Sequence, residues 1–411
     1  MNRERTRVIV PPQAVVEEAL CDLQQILAIP SVNPMGDMRP IAGFLAQRME
    51  FLGFAVRRDE VPPAEVQAHH MRCATNLMGQ WHQGDDAGLL LNAHFDTTDA
   101  GAGWTVDPYQ GLRQNGKIFG RGAQVSKSDV VMYLYAVALA ARYAKPTFPV
   151  TVALTGDEEV GGMVGPYRLL REKLVGQPAL AICPGTTYQV VDHHDGVLQW
   201  AVTIGGKGRH AAIHRAGGDA VEDGAELIRR LYRYRRDVLQ KQGGWLTVGV
   251  AQGGEAPNMV AGEFVLKLDR RVGPDESIEK ARAAVSSVLD EWKHEVGRLD
   301  NVRVHELVVA YPLRAQPNAN WAKWVARQAQ EVLEREVDVT GSPLYTDARH
   351  FSARGIPTIC YGVGRSDLET AGAHGTDEFV YEEDFAKGLT VLTNVIVRLW
   401  QEGLSGVVGD E

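Results

Sequence analysis

The sequence has only four cysteines (Cys21, Cys73, Cys183 and Cys360), no long uncharged apolar run and no surplus of positive charge. Each shortage excludes something. Four scattered cysteines without paired spacing offer neither a disulfide frame nor a cysteine zinc cluster, and they fit reduced thiols in a cytoplasmic protein. No segment reaches the roughly 20 apolar residues that a membrane-spanning helix needs. The opening residues, MNRERTRVIVPPQAVVEEAL, carry charge but no apolar core ending in a small-residue cleavage site, so no export signal is read there and a soluble, cytoplasmic protein is expected. With 43 Lys and Arg against 52 Asp and Glu, the formal net charge is −9. That balance argues against a nucleic-acid groove or an anionic membrane surface as partner.

What is present is an ordinary globular composition, 45% apolar and 23% charged over 411 residues, long enough for two cores. Apolar residues at helical spacing predict a helix over Ala14–Ala28, stopped by Pro30, and a second over Ile41–Leu52. Phe54–Arg57 reads as a strand. GLLLN (Gly88–Asn92) and PVTVAL (Pro149–Leu154) are short apolar runs suited to strands buried on both faces, with a long helix over Asp129–Tyr143 between them. Strand, helix, strand at this spacing is the crossover unit of an α/β sheet. From about Gln199 the pattern alternates: QWAVTIGG, WLTVGVAQGG and EFVLKLDRRV read as half-exposed antiparallel strands, with helices near Ala220–Gln240 and Ser277–Val296. After Pro312 the chain returns to a helix (Asn320–Leu333) and a buried strand (Pro357–Tyr361). The expectation is a catalytic α/β domain with a mixed sheet, formed by residues 1–198 and 313–411, interrupted by an α+β lid at 199–312.

Two clusters carry chemistry. His94-Phe95-Asp96 follows the GLLLN strand directly, at a carboxyl strand end, where ligands of open α/β sheets collect. Imidazole is a common metal ligand, and a nearby carboxylate can fix its tautomer. Gly156-Asp157-Glu158-Glu159 ends the PVTVAL strand. One carboxylate there could bind a metal while its neighbour takes a proton from water. Taken singly, a hydrogen-bonded histidine and a solvated acidic turn are the plainer explanations.

The wider context resembles a family. HFDTTDAGAGWTVDPYQGLRQNGKIFGRGA, TGDEEVGG, GGKGRHAA, TDARHFSARGIPTICYGVG and AHGTDEFV, in that order, together with ILAIPSVNPMG and FLAQRMEFLGF near the start, resemble the segments of the zinc-dependent aminoacylase, carboxypeptidase G, acetylornithine deacetylase and succinyl-diaminopimelate desuccinylase superfamily. The resemblance covers nearly the whole chain. It implies a zinc-aminopeptidase-like catalytic domain with an inserted ferredoxin-like lid, and a homodimer or higher homo-oligomer formed through that lid. It also implies roles: His94, Glu159 and His374 as metal ligands, Asp96 behind His94, and Glu158 as the general base. On the lid, His210 and Asn258 would polarise the substrate and Arg271 would hold its carboxylate, for which a forked guanidinium is suited. The Gly362-Val363-Gly364 turn would add backbone N–H donors.

The sequence departs from this pattern twice. Where the family has the Asp that bridges two metal ions, this chain has Val125 in Gln124-Val125-Ser126-Lys127. Where family members carry Glu or Asp just before Pro-Thr, AICPGTT places Gly185. A pair of divalent ions about 3.5–4 Å apart requires anionic bridging, so one labile ion (Mn, Zn or Co) is expected instead. Gln124, Ser126, Asp129 and the run Asp192-His193-His194-Asp195 are candidate replacements, the last read more simply as a polar hinge facing water. Asp269 and Arg270 read as a lid ion pair, and His69-His70 as surface.

The function expected is hydrolysis of a C–N bond in a small carboxylate-bearing substrate. The bond could be an amide, as in N-acyl-amino acids or dipeptides, or an aromatic amine, since the superfamily includes a deaminase of nitroanthranilate. A metal-free binding protein on the same fold is the contrasting class, and retention of Glu158 speaks against it.

Overall fold

A computed structural model describes residues 8–82, 84, 88–213, 218–297, 301–367 and 370–404. The chain divides into two compact units. One comprises residues up to His193, Ala315–Gly341 and the chain from Thr346 onward; the other comprises His194–Arg314 and Ser342–Tyr345. The dividing points lie a few residues from 198/199 and 312/313, because the first strand of the second unit already begins at Gly196.

The first unit is built on an eight-stranded mixed sheet in the order 55–60, 75–81, 150–155, 89–94, 180–183, 358–360, 189–194, 338–342. Its centre is parallel: Leu89–His94 runs parallel to both Val150–Thr155 and Leu180–Cys183. All six residues of Leu89–His94 are buried, as a strand covered on both faces must be, and each buried leucine there contributes about 1.5–3 kcal/mol. The helix Lys127–Tyr143 explains the cover on one face. It is buried on every side from Lys127 to Ala140 and packs against the helices Gln13–Leu27 and Glu382–Glu402. Gln13–Leu27 presents Val16, Ala19, Leu20, Leu23, Ile26 and Leu27 on one buried stripe, the three-and-four spacing of an amphipathic helix.

The expected polar hinge at Asp192–Asp195 is instead largely strand. Gln189–His194 alternates half-buried and buried residues, and both Asp192 and His194 are buried. Asp192 pairs with His193 Nδ1 at 2.6 Å, while Asn318 Nδ2 donates to the Asp192 carbonyl at 3.1 Å. Polar side chains stay buried here because local partners satisfy them.

The second unit has four antiparallel strands in the order 245–253, 263–272, 196–205, 302–310, with helices Ala220–Tyr234 and Ile278–Val296 joining alternate strands. This βαββαβ arrangement is the ferredoxin-like topology. The first helix ends earlier than its apolar pattern implied: past Tyr234 the backbone widens into a π-helical turn over Arg235–Leu239. The anticipated Asp269–Arg270 pair is re-sorted. Arg270 bonds Glu276 at 2.7 Å and Asp269 bonds Arg271 at 2.8 Å, since successive side chains of a strand point to opposite faces. Among the described residues, no helix is long and apolar enough to cross a membrane.

Candidate active site

The site lies at the carboxyl ends of the adjacent parallel strands Leu89–His94 and Val150–Thr155. His94 closes the first strand. Beyond the second, Gly156 lets the chain pass the Phe95 ring, where a Cβ would come within 2.7 Å. The chain then enters a short 3-10 turn over Glu158–Val160. This delivers both acidic side chains to the histidine: one ligand atom from each of His94, Glu158 and Glu159 lies within 4.8 Å of the others.

Asp96 organises the group. It is fully buried, its Oδ1 lies 3.3 Å from His94 Nδ1, and its two oxygens accept the backbone N–H groups of Glu158 and Glu159 at 3.3 and 3.1 Å. With its Nδ1–H held by the Asp96 carbonyl at 3.2 Å and by Oδ1, the neutral ring presents Nε2 to an ion. Burial alone would pull the His94 pKa down, but Asp96, Glu158 and Glu159 outweigh it and raise it well above 6.5. Burial pushes Glu158 up to about 7, with Glu159 and Asp96 adding to the rise and His94 and Arg349 opposing it. His374 stands in the left-handed region, φ 58°, and its Nε2 meets Glu159 Oε1 at 3.1 Å. That bond is the main reason its pKa is raised.

An imidazole nitrogen with two carboxylates is a donor set that suits a divalent transition ion. Buried carboxylates crowded this closely are costly without a cation. The residues present therefore fit such an ion, with His94 and Glu159 as ligands and His374 beside Glu159.

The proposed replacement ligands do not join the cluster. Gln124 Nε2 reaches the Val363 carbonyl at 3.5 Å, Ser126 Oγ donates to the His94 carbonyl at 2.8 Å, and Asp129 Oδ1 accepts the Val363 N–H at 2.7 Å. The glycine turn is also differently employed. Gly362 N donates to Thr186 O at 3.4 Å and Gly364 N to Thr187 Oγ1 at 3.0 Å, so Gly362, Val363 and Gly364 spend their N–H groups inside the protein. Gly185 packs so closely that a Cβ would lie 2.8 Å from Tyr361 N.

Within the second unit, Arg209–His210 pairs with Met259–Val260, and Ala211 N donates to Asn258 O at 2.8 Å. His210 and Asn258 thus belong to one exposed ribbon. Arg271 is half-buried with Nε held by Asp269.

Several residues escaped the sequence reading. Asn33 donates to Asp96. Asp347 is buried, neither of its oxygens has a hydrogen-bond partner among the described residues, and burial together with Glu158 raises its pKa to about 8. Arg121 and Glu378 tie the His374 loop to the Gly122–Val125 segment. Asn33 and Asp347 sit inside SVNP and TDAR, segments the resemblance had already marked, and that was the available signal.

An imidazole and two carboxylates at strand ends, one carboxylate raised toward neutral pH by burial, suit a metal-dependent hydrolase. The profile of peptidase family M20/M25/M40 matches residues 90–398, and the chain belongs to that family, in agreement with the motif order. Among similar proteins, aminoacylase-1 of Sus scrofa is 26% identical over 92% of this chain and 94% of its own length. Acetylornithine deacetylase of Myxococcus xanthus is 26% identical over 87% and 92%. The fold is shared with the M20 metallo-carboxypeptidase Sso-CP2 of Sulfolobus solfataricus, with a TM-score of 0.76 at 16% identity over 93% of this chain and 99% of that one.

Proposed function

We propose that this protein hydrolyses an amide bond in a small carboxylate-bearing substrate, using one exchangeable divalent ion and Glu158 as the proton carrier. The convergence of His94, Glu158 and Glu159 within 4.8 Å carries the reading. When bound, the ion supplies Lewis acidity toward the scissile carbonyl and the attacking water. Asp96 fixes the His94 ring so that Nε2 is offered outward. Glu158 takes a proton from water and returns it to the leaving nitrogen; burial raises its carboxyl to about 7 in the ion-free site. A single ion is inferred because Val125 supplies no bridging carboxylate and the Gly185 position leaves no room for a side chain. Manganese, zinc and cobalt all suit the donor set.

Arg271, His210 and Asn258 are proposed to engage the substrate's carboxylate and carbonyl. The second unit is proposed to pair with a second copy, supported by Trp245, Val304 and Leu307 exposed on its two edge strands. An amide is favoured over an anthranilate-type amine because the curated relatives carry aminoacylase, deacetylase and desuccinylase names.

The test is hydrolysis of N-acyl-amino acids, dipeptides and aminobenzoates with and without added Mn(II) or Zn(II), alongside metal analysis. Metal-dependent release of free amino acid is expected, with one ion per chain. Ammonia release from aminobenzoates alone would redirect the substrate assignment, and turnover unaffected by chelation would overturn the metal role.

A further inference from the structure

The loop Ser31–Asn33, which precedes the second helix, is stitched to the strand end that carries His94. Ser31 Oγ donates to the Phe95 carbonyl at 2.6 Å. Asn33 N donates to Thr97 O at 3.0 Å, and Thr97 N returns a bond to Ser31 O at 2.9 Å. The Asn33 side chain then does something these backbone bonds do not. Its Nδ2 donates to Asp96 Oδ2 at 2.7 Å and to the Gly156 carbonyl at 2.7 Å. One amide nitrogen thus spends both hydrogens on the two segments that bear the metal-site residues, 94–96 and 156–159.

The consequence is geometric. His94 Nδ1 faces both the Asp96 carbonyl at 3.2 Å and Asp96 Oδ1 at 3.3 Å, while Oδ2 accepts the Glu159 N–H, and these contacts help set the plane of the carboxylate. Without the Asn33 donor, that plane is held only by His94 and the Glu158 and Glu159 N–H groups, and its terminal torsion, a broad and soft coordinate, loses one restraint. The common anchor of His94 and the Glu158–Glu159 turn would be loosened.

We propose that Asn33 is a positioning residue of the metal centre: by pinning Asp96 and the Gly156 carbonyl together it sets the affinity of the site for its divalent ion. This inference rests on the single-ion reading above. Direct partners of metal ligands are worth about 10–100-fold in metal affinity when removed; Asn33 acts one step further out, through Asp96, so the loss expected for Asn33→Ala is at the low end, about 10-fold.

The experiment measures Mn(II) binding to the full-length protein by calorimetry, with thermal melting of the metal-free form. Wild type is compared with Asn33→Ala, Asn33→Asp and Asn394→Ala. Asn394 bonds Ile9 through both its side-chain atoms, so its loss serves as a destabilised control remote from the site. Asn33→Asp keeps the shape but replaces the donor with an acceptor, so a space-filling role predicts recovery and a donating role predicts none. The proposal expects about 10-fold weaker Mn(II) binding in both Asn33 variants and wild-type binding in Asn394→Ala. Undiminished Mn(II) affinity in Asn33→Ala, recovery in Asn33→Asp, or an equal loss in Asn394→Ala overturns it. Failure of the wild type itself to bind Mn(II) or Zn(II) would instead overturn the single-ion reading, and this inference with it.

Discussion

Arg121 Nη1 and Glu378 Oε2 are 2.7 Å apart in an ion pair that is at most 1% exposed on either side. Glu378 also accepts the N–H groups of Gly122, Gln124 and Val125, and Arg121 donates to the Gly375 carbonyl. The pair therefore joins the segment carrying Val125 to the loop carrying His374. Removing one partner leaves a buried charge uncompensated, at a cost of about 3–5 kcal/mol. Arg121→Met is expected to lower the denaturation midpoint accordingly. A loss under about 1 kcal/mol would show that the pair is not holding the two segments.

Glu158→Gln keeps the size of the side chain and removes its basicity. Proton transfer by a positioned group contributes about 10²–10⁴-fold, so turnover is expected to fall by that factor while the far-UV circular dichroism stays unchanged. Near-wild-type rates in this variant would remove Glu158 from the mechanism.

Val125→Asp places a carboxylate where the family's bridge stands, and it is expected to raise metal content above one ion per chain in elemental analysis. Gly185 is different. A Cβ there would meet Tyr361 N at 2.8 Å, so Gly185→Ala is expected to destabilise by about 1–3 kcal/mol rather than to help metal binding. A stable Gly185→Ala protein would mean that this wall can move.

Asp129 tests pH dependence. Burial raises its pKa well above 3.8, partly opposed by the Val363 N–H and by His94. The folded protein therefore keeps a proton that the unfolded chain releases above that pH. Stability from this group is fully present at pH below 3.8 and is lost as pH rises through the folded-state pKa. Asn in its place can still accept the Val363 N–H without carrying charge. Asp129→Asn is expected to gain on wild type as pH is raised from about 4 to 9 in urea titrations. A pH-independent gap would contradict the burial argument.

The sequence made the site's skeleton legible because the signals were local. Three consecutive leucines announced the doubly covered strand ahead of His94, and an apolar run announced the one ahead of Glu158 and Glu159. What stayed hidden depends on residues distant in sequence. Asn33 meets Asp96 across 63 positions and Arg121 meets Glu378 across 257, and no period or spacing encodes such meetings. Polarity misled at Asp192 and His194, which are buried in a strand because partners satisfy them. The Gly362–Gly364 turn had the right residues for binding a carboxylate, but its N–H groups are spent on Thr186, Asp129 and Thr187.

Glu378 grips three amides of the Gly122–Val125 segment, those of Gly122, Gln124 and Val125, work that in a cation-dependent loop would fall to the cation. A backbone fastened by a side chain keeps its course whether or not anything is loaded beside it. The consequence is that this stretch of chain owes its path to Glu378 and Arg121 and not to a bound ion.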